Sequence, residues 1–561
     1  MASAGIAGEH AIVAFAPLLL ALHLDRTGWK LEAIALLALC IGTTFVGAGI
    51  LSVRATNILP RHYHLLRHGA SPGVALGSCS PLLLLSGIAA VRLRSGAPLG
   101  PLRAHFWALL SCAVQPSLML LLPLRMHRRA WLPLIIGHAI VLVSIAATRP
   151  PGHDLTITLA CLIVHAVVFW SCVHGIKGSF TFGEAAAIAQ ALGALAADTM
   201  VMDACSRNTR SVAADLCVHR TLDVLATHAL VAGGLGLAAT LALMLALLDR
   251  VRAPPAVQSA AFVGGVAIAL AAVLLPWLTH LLGTDAIHWL YEEFTSDGRP
   301  ALLVYWSLLI PLASLIAALT APAPRAESTQ PPSRTHRARL LLSRKVFHFL
   351  VVAIFSPAIP THPAILHLAL AIALVGFVHL ELLRLYALPP LAAPLTTFLA
   401  AFLDARDSGA LVLTHTYLLL GCSIPIWLSS ALPPPTAATT TTLAAACLTA
   451  APHAGILVLG VGDAMASLVG ISIGRVRWTS VTHKTLEGTA AGVAAMLVLM
   501  GVILHSSLPG GLPHSIYVWA TLSACVVIAC LLEALTDQID NLFLPVAFLT
   551  ALLVAAASDL R

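Results

Sequence analysis

The chain has 561 residues, of which 59% belong to the AVILMFWYC set and only 10% are charged. An ordinary soluble domain is roughly 45–50% apolar and about 25% charged, so 31 basic and 24 acidic side chains are too few to cover a soluble protein of this length. The composition predicts an all-α, polytopic integral membrane protein. A net charge of +7 is modest for such a length and argues against a nucleic-acid partner. Eleven cysteines stand without a CxxC pair, which predicts buried reduced thiols rather than a disulfide framework or a zinc site. Neither an HExxH helix nor a GxxxxGK[ST] phosphate loop occurs. The first 24 residues lack a basic n-region followed by a clear cleavage site, and are expected to be a retained membrane segment.

Crossing a hydrocarbon layer takes about 20 apolar residues. Blocks of that kind run near 9–24, 31–53, 74–91, 104–124, 131–148, 155–173, 184–202, 225–248, 256–280 and 301–321. They resume near 346–361, 364–385, 410–431, 442–461, 488–505, 516–535 and 541–558. Several are short or broken by Pro and Gly, so the expectation is roughly 15 to 17 transmembrane helices. Between the two series lies the stretch Ala321 to Lys345, rich in Pro and Ser, with Arg325, Arg334, Arg337, Arg339, Arg344 and Lys345 against one acid, Glu327. It predicts a basic cytosolic loop by the positive-inside rule. The expected division is a multi-span region over 1–321, the loop over 322–343 and a membrane-embedded C-terminal domain over 344–561.

Counting crossings from that loop places Glu381 and Arg384, the 404–407 acids, Gly462 with Asp463, the 475–487 charges and the 533–540 acids on one side, the cytosol. Asp463, Ala466, Gly470 and Gly474 recur at i, i+3, i+7 and i+11, so a helix would align them on one face. Such a face serves either close helix packing or the approach of a flat ligand. An acid at the membrane border must be paired, hydrated or metal-bound. The following stretch supplies Arg475, Arg477, His483, Lys484, Thr485 and Glu487, the side chains a nucleoside triphosphate and its Mg²⁺ require. Glu533, Asp537 and Asp540 would repel one another on one helical face unless a metal or basic partner compensates. Two further polar groups stand out. Arg344, Lys345 and His348 open a span, and Asp404, Arg406 and Asp407 occupy a loop.

The pattern Asp463-x-x-Ala466-x-x-x-Gly470-x-x-x-Gly474, followed after eight residues by a basic pair, Thr485, Glu487 and Gly488, resembles the signature of the CTP-dependent polyprenol kinases. That family takes in dolichol, phytol and CTP-dependent diacylglycerol kinases. The stretches DARDSGALVLTHTYLLLGCSIPIWL, EALTDQIDNLFLP, SRKVFHFL and SFTFGEAAAIAQ are similar to its dolichol-specific branch. One departure stands at His483, where the family carries lysine.

The resemblance implies transfer of the γ-phosphoryl group of CTP to a long polyprenol, giving dolichyl phosphate for protein glycosylation at the endoplasmic reticulum membrane. It implies catalytic roles for Asp463, Lys484, Glu487, Asp537 and Asp407. Nucleotide contacts would come from Ala466, Gly470, Gly474, Arg477, His483, Lys484, Thr485 and Gly488. A divalent metal, Mg²⁺ by expectation, would sit at Asp463, Asp537 and Asp540. The expected partners are CTP, dolichol or a related polyprenol, and membrane lipid. A phytol or diacylglycerol kinase is the alternative within the family. A transporter is the alternative outside it, and it would show two repeated halves. The 462–488 pattern has no counterpart before residue 321.

Overall fold

The computed structural model describes residues 24, 29–39, 67, 74–97, 99–121, 154–206, 220–321, 334–400, 402, 409–434, 442–478, 484–508, 511–535 and 540–560. Backbone groups in lipid must be bonded within their own segment, and the apolar blocks accordingly form helices. In the N-terminal half these are α1 Val74–Arg94, α2 Leu102–Leu121, α3 Leu155–Gly175, α4 Phe182–Ser206, α5 Leu222–Arg250, α6 Pro255–Leu282, α7 Ala286–Thr295 and α8 Arg299–Thr320. The C-terminal half adds α9 Arg334–Thr361, α10 Pro363–Leu385, α11 Ala392–Ala400, α12 Thr414–Ser429, α13 Thr442–Ala450, α14 Ile456–Ser472, α15 Leu486–Ser507, α16 Ile516–Leu535 and α17 Asp540–Asp559. Pairing between extended segments is confined, among the described residues, to an isolated bridge of Arg477 with Thr485.

Ten of the described helices are long and apolar enough to cross a membrane, or 11 if the bent pair Leu443–His453 and Ile456–Ser472, meeting at 71°, is one span. The all-α, multi-span expectation holds. The expected spans near 9–24, 31–53 and 131–148 lie wholly or largely outside the described residues. One boundary is corrected. Helix α9 begins at Arg334, so Arg334, Arg337, Arg339, Arg344 and Lys345 are helical rather than part of a loop. The last proline of that stretch is Pro332, and RARLLLSRK beyond it is rich in good helix formers.

The last helix is the hub. In its most hydropathic window 83% of residues are buried, against 17% for α8 and for α6. Helix α17 is therefore a protein-facing core element, while α6 and α8 turn Val263, Ile268, Leu308 and Leu319 outward to lipid. Helix α17 packs against α1, α12, α13 and α16, so one apolar core runs through both halves, with Leu82 and Ile88 joined to Phe548 and Leu552. Close approach to α12 depends on Gly421, where a Cβ would lie 2.0 Å from the Asn541 carbonyl oxygen.

The bundle has two polar ends. One gathers the starts of α9, α12, α15 and α17 with the ends of α10 and α16. The other holds Asp198, which accepts two 2.7 Å hydrogen bonds from Arg220 and faces His228 at 3.3 Å and His105 at 3.5 Å. Near that second end, Cys205 is disulfide-bonded, which corrects the all-thiol expectation. The buried cysteines Cys79, Cys112, Cys161, Cys172, Cys422, Cys447, Cys525 and Cys530 are free.

The SFTFGE stretch folds as an anchor. Thr181 Oγ1 accepts from the Glu184 amide at 3.3 Å, and Glu184 Oε2 accepts from the Thr181 amide at 2.9 Å. This is a capping box starting α4. Glu184 Oε1 also takes a 2.6 Å hydrogen bond from Arg67, with both side chains buried. Ser179 Oγ then accepts from the Leu411 amide at 3.1 Å, tying the start of the α12 segment to the N-terminal half. Removing one partner of a buried ion pair costs about 3–5 kcal/mol. Glu184→Ala should therefore lower the unfolding midpoint of the detergent-purified protein by that equivalent, and Glu184→Gln by less. An unchanged midpoint for Glu184→Ala would contradict the anchoring role.

Candidate functional site

Helix α14 opens as a π-helix over Ile456–Asp463 and continues as an α-helix over Ala464–Ser472. A π turn carries one extra residue per turn and is favoured where a side chain must be aimed. Here it delivers Asp463, which is 9% exposed, to the side of α9. Asp463 Oδ2 accepts a 2.6 Å hydrogen bond from Lys345 Nζ and lies 3.1 Å from His348 Nε2. Ser467 Oγ donates to Asp463 Oδ1 at 3.3 Å. The other ring nitrogen of His348 sits 3.2 Å from the Arg344 carbonyl oxygen. Lys345 and His348, noted in the sequence as the start of a span, are thus the partners of the acid expected to hold metal. Nothing local signals this pairing, since 118 residues separate Lys345 from Asp463. The one available hint is a cation and a histidine just inside a span, facing an unexplained acid in another.

A second pair stands beside the first. Lys484 Nζ lies 3.4 Å from Glu533 Oε1 and also donates to the Glu533 backbone carbonyl. That carbonyl belongs to the last turn of α16, where the helix dipole favours a cation. Asp463 and Glu533 line one small cavity together with Gly462, Met496 and Cys530. Two carboxylates, each with its own lysine, therefore meet across a shared space.

Glu487 and Lys484 do not pair, although the sequence sets them side by side. Glu487 Oε1 accepts from the amides of Arg475 at 3.0 Å and Val476 at 3.1 Å. The Leu486 amide donates to the Val476 carbonyl at 2.8 Å, and the Trp478 amide to the Lys484 carbonyl at 3.1 Å. Glu487 thus fixes the turn that carries Arg475 and Arg477, and both arginines are exposed. Thr485 caps α15, its Oγ1 accepting from the Gly488 amide at 3.1 Å.

The small residues pack protein against protein. A Cβ on Gly488 would meet the Ala466 carbonyl oxygen at 2.5 Å, and one on Gly474 would meet Thr485 Oγ1 at 2.6 Å. A Cβ on Gly470 would come 3.1 Å from the same hydroxyl. Of the two uses open to such a face, this is helix packing, which brings α14 against α15 and closes the cavity wall. A nucleotide contact along Ala466, Gly470 and Gly488 finds no support in this geometry.

The 533–540 acids are also rearranged. Helix α16 ends at Leu535 and α17 starts at Asp540, so Glu533 and Asp540 belong to different antiparallel helices rather than one helical face. Two adjacent spans of 20 residues each force a reversal between them. His483, Asp407 and Asp537, together with Asp404 and Arg406, lie outside the described residues. Among the described residues no three His, Cys, Asp or Glu side chains converge in the manner of a metal site.

Because Gly488 is seated on the Ala466 backbone, Gly488→Val should push α14 from α15 and destabilise the fold by several kcal/mol, the ordinary cost being about 1–3 kcal/mol for overpacking. Gly501→Val is the matched control, its nearest neighbour being Trp519 Cη2 at 3.8 Å. Thermal melts of the two purified variants should separate clearly, and equal melts would overturn the packing assignment.

Residues 230–419 match the family model described as dolichol kinase. Human dolichol kinase is 42% identical over 282 residues, which cover 50% of this chain and 50% of that protein. Dolichol kinase EVAN of Arabidopsis thaliana is 37% identical over 45% of this chain and 40% of its own length. Dolichol kinase sec59 of Schizosaccharomyces pombe is 32% identical over 48% and 50%. The chain spans about half the length of the curated relatives it matches. No solved structure matches it. The family-matched segment carries Lys345 and His348, while Asp463, Lys484 and Glu533 follow it in sequence. Residues 230–419 are a dolichol-kinase-family segment, and over half of its length the chain resembles the dolichol kinases of an animal, a plant and a yeast.

Proposed function

We propose that this protein is a CTP-dependent dolichol kinase, transferring the γ-phosphoryl group of CTP to the hydroxyl of dolichol or a related polyprenol. The observation that carries the reading is the paired set Lys345–Asp463 and Lys484–Glu533 around one cavity, in a chain similar to dolichol kinases. Phosphoryl transfer asks for positioning and neutralisation of charge rather than a covalent enzyme intermediate. Lys484 and Lys345 are placed to meet phosphate oxygens, with Arg475 and Arg477 above them on the turn held by Glu487. The acceptor oxygen forms the new bond to phosphorus, the bond to the β-phosphate oxygen breaks, and CDP leaves. The hydroxyl proton passes to a carboxylate, for which Asp407 and Asp537 are the candidates, or to water.

The donor set fits a divalent metal. Asp463 and Glu533 present hard carboxylate oxygens to one space, and Mg²⁺ is ordinarily held by one or two carboxylates with phosphate and water completing its shell. Asp537 and Asp540 extend that set in this reading. When bound, Mg²⁺ supplies neutralisation of charge on the β- and γ-phosphates. The lipid tail needs an apolar channel reaching the cavity from the bilayer, and the outward apolar faces of the bundle put lipid within reach.

The proposed setting is the endoplasmic reticulum membrane, with the site facing the cytosol. Two features support that orientation. The basic start of α9 lies at the site end of the bundle, and the disulfide at Cys205 lies at the other end, where an oxidising lumen would be.

Purified protein given CTP, Mg²⁺ and a polyprenol should yield CDP and polyprenyl phosphate in equal amounts. Pyrophosphate in place of CDP would mean cytidylyl transfer, and neither product would remove the enzyme reading. Phytol or diacylglycerol used in preference to the polyprenol would move the assignment to the other branches. For orientation, single cysteines at Arg475 and Ala410 in sealed microsomes should label with an impermeant thiol reagent from outside, and one at Asp297 only after permeabilisation. Labelling of Asp297→Cys without permeabilisation would reverse the topology.

A further inference from the structure

We infer that the two lysine–carboxylate pairs are an exchange latch, in which Asp463 and Glu533 hold Lys345 and Lys484 until a metal and a polyphosphate arrive together. The inference rests on the kinase reading, and it concerns how that site admits its nucleotide. Lys345 Nζ and Asp463 Oδ2 are 2.6 Å apart with side chains 8% and 11% exposed, and Lys484 and Glu533 are 3.4 Å apart at 24% and 10%. Each carboxylate that could take a divalent cation is covered by an ammonium, and each ammonium that could take a phosphate is covered by a carboxylate. Both carboxylates line the same cavity.

A cation entering alone must separate a carboxylate from its lysine and leave that ammonium uncompensated in a poorly hydrated place, which is costly. A polyphosphate entering alone strands the carboxylates in the same way. The two together exchange partners without leaving any charge unpaired, since carboxylates turn to the metal while the ammonium groups turn to phosphate oxygens. His348 and Ser467, which also touch Asp463, keep that carboxylate partly bonded during the exchange. Metal and polyphosphate binding are then linked, and each must favour the other by the same factor.

Crossed binding measurements test this without turnover. The probes are Mn²⁺ alone, followed by electron paramagnetic resonance, and tripolyphosphate alone in the presence of a chelator. Lys345→Met and Lys484→Met should each bind Mn²⁺ more tightly than wild type, by about tenfold, the size of one lost charge-assisted competitor. Asp463→Asn and Glu533→Gln should each bind metal-free tripolyphosphate more tightly by a similar factor and bind Mn²⁺ less well. A purely structural role for the pairs would weaken both probes or neither. If variants at the more buried 345/463 pair do not fold, the pattern must appear at the more accessible 484/533 pair. Absence of the gain at every folded variant overturns the latch. Failure of the kinase reading has a different signature, in that wild-type protein would release no CDP from CTP and polyprenol however the probes behave.

Discussion

A carboxylate placed below the surface of a membrane bundle is the constraint on which the site depends. An unpaired charge there would cost several kcal/mol, so Asp463 requires cations, and the nearest chain that supplies them is the start of α9 with Lys345 and His348. That requirement fixes α9 against α14. It also explains Gly460, where a Cβ would lie 2.5 Å from Val352 Cγ2 and hold the two helices apart. Once α9 and α14 are in contact, the small residues Ala466, Gly470 and Gly488 let α15 close on the other flank. Lys484, at the foot of α15, then reaches the C-terminal turn of α16.

The N-terminal half contributes support rather than chemistry to this arrangement. Helix α1 covers the hub helix α17, and the Arg67–Glu184–Thr181–Ser179 anchor holds the backbone of Leu411. On α10, Glu381 accepts from the Val412 amide at 2.6 Å and is bound by Arg384. The segment entering α12 is thereby clamped from two directions. The Asp198, Arg220, His105 and His228 group sits at the opposite end of the bundle from the cavity. It ties α2, α4 and α5 together where few apolar contacts remain.

Hydropathy made the fold class and most spans of the second half readable, because lipid leaves the backbone no alternative to helix. Motif spacing pointed to the right neighbourhood, as Asp463, Lys484 and Glu533 do surround one cavity. What the spacing could not carry was partnership. Glu487 stands three residues from Lys484 yet binds the amides of Arg475 and Val476, because a two-stranded turn has unpaired donors that a nearby carboxylate satisfies. The glycines fit nucleotide and helix packing equally as letters, and only the position of α15 separates the two. The acids at 533 and 540 suggested one helical face because periodicity does not reveal where a span must reverse. The partners of Asp463 were invisible for a simpler reason, being more than a hundred residues away.

The claim at the centre of this account is that Asp463 and Lys345 stabilise each other as a buried pair. A double-mutant cycle on Asp463→Asn and Lys345→Met, read as unfolding free energy in mixed detergent and denaturant, tests it most directly. The account predicts that each single change is strongly destabilising while the double change is far less so than their sum, with a coupling of about 3 kcal/mol. Additivity to within about 0.5 kcal/mol would contradict it, and would mean that the two side chains do not depend on each other.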